Sequence, residues 1–124
     1  MKIRVYFEDT DAGGIVYHTN YIKYCERARS EVFFQRGMMP TQSDSSGFVV
    51  RNINADFVAT SKLGDMLEVT STILSLKKSS MVLLQEIYKE EKKIFSMEIV
   101  LVYIDEGKPS RIPEDFKALF NTLD

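Results

Sequence analysis

A chain of 124 residues with 44% hydrophobic and 27% charged side chains has the composition of one globular domain with a single core, which excludes a disordered chain. Sixteen basic against eighteen acidic side chains leave a net charge of −2, so bulk attraction to nucleic acid is not expected. The longest apolar run, Ile99 to Ile104, is too short to span a bilayer, so residues 1–124 are read as one domain with no membrane span.

Residues 2–8 alternate polar and apolar and predict a first strand. Asp9 to Gly14 is a turn cluster with two adjacent glycines. A helix is predicted from His18 to Arg36, because Tyr21, Cys25, Ala28 and Val32 fall on one stripe, with Lys23, Glu26, Arg27 and Glu31 around the wetter side. Gly37 is placed to stop it in a left-handed conformation. After the polar loop 40–47, four strands follow directly: Phe48–Val58, Met66–Leu76, Met81–Lys89 and Ile94–Ile104. Their short connections predict hairpins. Pro113 opens a last short helix, with Glu114 and Asp115 in the first turn, where the helix dipole favours acids. One long helix followed by a meander predicts an α+β fold with the helix against an antiparallel sheet.

Met81 to Leu84 and Ile99 to Ile104 are apolar at successive positions rather than alternating, so both faces of these strands should be covered. One helix covers one face only. A homo-oligomer built through sheet faces or edges is therefore expected; the competing arrangement has loop 38–47 and the last helix on the second face. Cys25 is the only cysteine and His18 the only histidine, which rules out an internal disulfide and a zinc site of the usual N/S type within one chain. No signal-peptide core occurs at Met1 to Val5, and a cytoplasmic protein is expected.

The densest chemistry lies between Glu8 and Tyr21: two carboxylates at Asp9 and Asp11, the Gly13-Gly14 pair, and His18 at a helix start. A turn entering a helix presents free backbone N–H groups that favour an anion or a developing oxyanion. A carboxylate beside them can act as base or nucleophile, the combination acyl transfer needs. Taken singly, each acid also suits an Asx turn or cap, and the glycines suit a tight turn. A Cys–His pair fails, because His18 and Cys25 lie seven residues apart on one helix, about 10.5 Å of rise. Asp9 and Asp11 after a strand could alternatively bind magnesium in a phosphatase, but such sites belong to parallel βαβ sheets, whereas these strands follow one another directly.

The run Val5-Tyr6-Phe7-Glu8-Asp9-Thr10-Asp11-Ala12-Gly13-Gly14-Ile15-Val16-Tyr17-His18-Thr19-Asn20-Tyr21, followed by Tyr24-Cys25-Glu26-Arg27-Ala28-Arg29, resembles the YbgC branch of the hot-dog acyl-CoA thioesterases, which is similar to the 4-hydroxybenzoyl-CoA thioesterase family. Ala55-Asp56-Phe57 and Leu63-Gly64-Asp65 agree with it. The resemblance implies a hot-dog fold, a long central helix wrapped by a curved five-stranded antiparallel sheet. It implies dimers that join their sheets, dimers that pair into a homotetramer, and active sites at the subunit interface. The activity implied is hydrolysis of acyl-CoA in lipid metabolism, with no cofactor and no metal. The family's catalytic carboxylate maps onto Asp11 and its oxyanion donor onto the His18 N–H, with the His18 side chain supporting the site and Tyr17 and Tyr21 shaping the acyl pocket.

The coenzyme's phosphates point to Lys77 and Lys78, in a basic hydroxylic turn with Ser79 and Ser80, and to Lys62 beside Thr60 and Ser61; a solvated hairpin tip explains the lysines equally well. A second role stays open, docking to acyl carrier protein or to phospholipid-synthesis enzymes, as does the magnesium phosphatase. Phe33, Phe34, Met38 and Met39 are read as core rather than as a long acyl pocket.

Overall fold

The computed structural model describes residues 1–123. Strand β1 (Lys2–Arg4) and a short 3-10 turn (Phe7–Asp9) lead into helix α1 (His18–Phe34). Strands β2 (Ser46–Phe57), β3 (Met66–Leu76), β4 (Ser80–Lys89) and β5 (Lys92–Asp105) follow, then the two-residue β6 (Lys108–Pro109) and helix α2 (Glu114–Phe120). The sheet runs β1-β3-β4-β5-β2, antiparallel at every pairing, with β6 added to β5. This is the hot-dog arrangement: five strands curl around one long helix.

The strand read over residues 2–8 ends early for a local reason. Asp9 accepts the Tyr6 N–H on Oδ2 at 2.9 Å, and its own N–H donates to the Tyr6 carbonyl at 3.0 Å, folding the chain into the 3-10 turn. Helix α1 stops at Phe34 rather than Arg36, where Gly37 adopts φ +69° and the Met38 N–H closes on the Phe33 carbonyl. β6 was not foreseen. It arises because Glu106 and Gly107, both at positive φ, form a two-residue hairpin turn that pairs Lys108 with Asp105.

The face of the sheet under α1 carries Leu67, Val69, Leu83, Ile87, Met97 and Ile99, packed against Tyr21, Tyr24, Cys25, Ala28 and Phe33 of the helix. Burial pushes the Cys25 thiol up to about 12. One polar side chain enters this layer. Gln85 donates from Nε2 to the Cys25 carbonyl at 2.9 Å and to Ser71 Oγ at 3.0 Å, and accepts from Arg29 on Oε1 at 2.9 Å. Three bonds leave the buried amide satisfied.

Helix α2 packs on the same side as α1, Phe116 and Phe120 each making ring contacts with Phe33 and Phe48, edge-on in three cases and tilted between Phe48 and Phe116. The arrangement with α2 on the opposite face is therefore not found. On that opposite face Val82, Leu84, Val100, Val102 and Ile104 are half-buried, and Leu74 is 49% exposed.

The connection from β2 to β3 is clamped by Asp65, whose Oδ2 accepts the Lys62 N–H at 2.8 Å and pairs with Lys89 Nζ at 3.0 Å. Burial opposes ionisation of this carboxyl, but the Lys62 N–H and the Lys89 ammonium outweigh it and hold its pKa below the ordinary value. A carboxyl depressed on folding contributes stability above its unfolded pKa and loses it as pH falls through the folded one. Urea midpoints should therefore drop as pH falls from about 4 into the acid range, and Asp65→Asn should flatten that part of the profile.

Candidate active site

The segment from Asp9 to Tyr21 is a tight hairpin stitched to a helix start. Thr10 bridges Val16, and Ile15 bridges Lys62. The Asp11 N–H donates to the Ile15 carbonyl at 2.9 Å and the Gly14 N–H to the Asp11 carbonyl at 3.0 Å, with Gly14 at φ +83° where a glycine is required. Asp11 is exposed at the tip, and its Oδ1 accepts the Gly13 N–H at 2.8 Å. A methyl at Gly13 would sit 3.2 Å from that oxygen, so glycine keeps the carboxylate's seat open. The Asx-turn reading of Asp11 is thus correct, and it occupies one oxygen only. Among the described residues nothing donates to Oδ2.

Tyr17 caps α1 with extended backbone (φ −64°, ψ 131°) and no side-chain cap bond. The Asn20 N–H turns back to the Tyr17 carbonyl at 2.8 Å. The N–H groups of His18 and Thr19 find no acceptor among the described residues, as geometry dictates for a first turn, and the helix dipole adds positive character there. The unsatisfied donors that acyl chemistry needs are therefore present next to the Asp11 turn.

Two bonds fix that neighbourhood. The Asp9 carbonyl accepts the Tyr17 N–H at 3.0 Å and Asn20 Nδ2 at 2.8 Å, while the Asp9 carboxylate is buried on Tyr6 N–H. Asp9 and Asp11 consequently face opposite ways, one inward and one outward, and do not form the paired carboxylates of a magnesium phosphatase. The Tyr24 hydroxyl is buried near Asp9; burial first, and then the Asp9 carboxylate, raise its pKa.

The His18 ring is exposed and lies 4.6 Å from Tyr17 and 5.8 Å from Phe57, centroid to centroid. Tyr17 is half-exposed beside it. Tyr21 lies beneath, 3% exposed, its hydroxyl on Ser61 Oγ at 2.8 Å and its ring stacked 5.5 Å from Phe95; it forms the floor rather than the wall. Lys62 is exposed beside the turn, whereas Lys77 and Lys78 sit at the far end of β3, roughly 35 Å away along an eleven-residue strand. Within one chain the three lysines are not brought together. Phe57, Asn20 and Ser61 were not read as site residues from the sequence.

A cleft of about 310 Å³ opens between α1, the loop at Pro40-Thr41 and β2, lined by Arg29, Phe33, Phe48, Val50, Leu101 and Phe120 among others. Of the four residues weighed as core or pocket, Phe33 reaches this cleft; Phe34 and Met39 are exposed and Met38 is packed on the core.

The family model of the thioesterase-like superfamily matches residues 5–120. The chain is 42% identical to an acyl-CoA thioesterase YbgC of Helicobacter pylori, over 99% of this chain and 100% of that one. It is 37% identical to an acyl-CoA thioester hydrolase YbgC of Escherichia coli, over 95% and 92%. Among solved structures, a probable thioesterase from Bartonella henselae superposes with a TM-score of 0.85 at 30% identity, covering 91% of this chain and 97% of that one.

If the Asp9 carbonyl sets the helix start, Asn20→Ala should destabilise the chain by about 1 kcal/mol in urea titration. It should also speed hydrogen exchange at the Tyr17 amide, whose N–H donates to the same Asp9 carbonyl.

Proposed function

The chain belongs to the thioesterase-like superfamily and within it to the YbgC-type acyl-CoA thioesterases, and from that premise we propose that Asp11 and the opening of α1 carry out the hydrolysis. The carbonyl oxygen of the thioester accepts the His18 N–H, which stabilises negative charge as the carbon becomes tetrahedral. Asp11 Oδ2 then acts in one of two ways. It takes a proton from a water that attacks the carbon, or it attacks the carbon itself and forms an anhydride that water opens. In either route the C–S bond breaks, the thiolate of coenzyme A is protonated, and one water has been consumed to give one carboxylic acid. The His18 ring lies against Tyr17 and Phe57 beside that donor and supports the site.

The observation that supports this reading is the pair of bonds to the Asp9 carbonyl, which tie the turn carrying Asp11, with its one uncommitted carboxylate oxygen, to the start of α1 and its unspent N–H groups. The acyl-CoA reading is favoured over docking alone because a pure docking surface needs neither.

Assembly completes the site. β2 is a twelve-residue edge strand with no partner on its outer side, and antiparallel pairing of two β2 edges about a twofold joins two sheets into one. The half-buried Val82, Leu84, Val100 and Val102 then serve to pair dimers into a homotetramer. The same twofold carries the Lys77–Lys78 end of one copy toward the Asp11 end of the other, which assigns those lysines, with Lys62, to the phosphates of coenzyme A. The enzyme acts in the cytoplasm on acyl groups of lipid metabolism, where acyl carrier protein is a second source of the same thioester.

Asp11→Asn should keep the fold and lower kcat for thiol release from acyl-CoA by at least a hundredfold, measured with and without EDTA; activity within a few-fold of the parent would remove Asp11 from the mechanism. Lys77→Ala/Lys78→Ala should raise KM rather than lower kcat, and added salt should narrow the difference between variant and parent.

A further inference from the structure

Arg29 sits on the flank of α1 that faces β2, roughly 16 Å of helix rise beyond His18. Its Nη1 donates to Gln85 Oε1 at 2.9 Å, and Gln85 is anchored on the Cys25 carbonyl and Ser71 Oγ. The guanidinium is thus seated by a fully buried amide and not by a counter-ion: among the described residues no carboxylate lies within ion-pair distance of it. Burial lowers its pKa from the ordinary value against the opposing pull of Cys25 and Glu26.

The surroundings make that arrangement unusual. Beside Arg29 the cleft has an apolar stretch of Phe33, Phe48, Val50, Leu101 and Phe120, suited to a hydrocarbon, with Ser30, Thr41 and Glu26 as its other polar residues. A core needs no cation there, and leaving one half-desolvated without an anion is unfavourable. The Gln85 bond uses one of five guanidinium N–H donors and tethers that arm of the fork. Glu26 also borders the cleft, but it is exposed and accepts the Ser30 hydroxyl at 3.1 Å, so its charge stands in water, where it is screened.

We propose that this cleft receives the distal part of the acyl group, and that Arg29, preset by Gln85, selects acyl thioesters whose chain ends in a carboxylate. The apolar lining takes the methylenes and the guanidinium takes the terminal carboxylate. Phe48 and Val50 lie toward the start of β2 and Phe57 at its end. Antiparallel pairing of two β2 edges therefore sets the cleft of one copy against the His18–Phe57 end of the other, and a short chain can bridge the two. The inference rests on the thioesterase reading; the reaction is the same hydrolysis.

The test compares kcat/KM of the full chain on matched pairs of coenzyme A thioesters: succinyl and butyryl, adipyl and hexanoyl, decanedioyl and decanoyl. The expected result is a preference of roughly tenfold or more for the carboxylated member in at least one pair, the size of a charge-assisted hydrogen bond. Arg29→Gln, which keeps a donor for Gln85 and removes the charge, should bring that ratio close to one. Arg29→Lys, which keeps the charge and loses the fork, should retain part of the preference and covers the case in which the glutamine variant does not fold. An uncarboxylated preference at every length, or a carboxylate preference that survives Arg29→Gln, overturns the assignment of Arg29 while leaving the thioesterase reading intact. Absence of thiol release from every thioester overturns the thioesterase reading itself.

Discussion

The site depends on one carbonyl oxygen. Asp9 O accepts both the Tyr17 N–H and Asn20 Nδ2, so the last residue of the 3-10 turn is tied to the first turn of α1 at two points. Everything upstream holds that oxygen still: the Asp9 side chain is buried on Tyr6 N–H, and Val5 before it exchanges backbone bonds with Gly64 and Asp65. Everything downstream uses its position, because the Asp11 tip and the His18 N–H are each two or fewer residues from a bonded group. A hairpin tip alone would wander on the nanosecond scale, and a helix start alone would fray. Tying one to the other converts two mobile features into one geometry, which is what the oxyanion role proposed for the His18 N–H requires.

Much of this architecture was legible from residue pattern. The long helix, the four successive strands and the terminal helix appear where hydrophobic spacing placed them, β3 to the residue. What spacing could not give was local hydrogen bonding. Lys2 to Glu8 alternates as a strand should, yet Asp9 captures Tyr6 N–H and ends it; a side-chain bond spanning three residues overrides a pattern spanning seven. Within the site, the motif around Asp11 and His18 drew attention through chemistry-bearing residue types. Asn20 and Ser61 did not, since an amide near a helix start and a serine in a loop are ordinary until their partners at Asp9 and Tyr21 are known. The two acids of the motif looked equivalent in sequence and are opposites in space, because the chain reverses between them.

The apolar outer face illustrates a different limit. Successive apolar residues in β4 and β5 implied cover on both sides, and the chain itself supplies cover on one. Helix α2, a candidate for the second side, is drawn instead to Phe33 and Phe48 by four edge-to-face or tilted ring contacts, since those rings otherwise stand at the open end of the core. What the fold leaves over, an open β2 edge and a half-buried Val-rich face, is surface that a solitary subunit gains nothing by keeping apolar. Both features are what the proposed pairing of subunits would use, and His18 at the start of α1 lies beside Phe57 at the end of that same β2 strand.

Arg29 and Gln85 raise the question of why the layer beneath α1 should contain a cation and an amide at all. Two leucines in their place would pack without desolvating anything, and buried polar pairs are commonly no more stable than such replacements. Stability alone therefore does not account for them. A fully buried amide with all three of its observed bonds satisfied is a rigid mount, and a rigid mount has value only if what it carries must point in one direction. The guanidinium it carries borders the cleft between α1 and β2, beside Phe33, Phe48 and Phe120. On the proposal made for this cleft, the guanidinium meets a carboxylate that arrives with its own hydrocarbon, and that one partner accounts both for the buried mount and for the aromatic and aliphatic residues beside it.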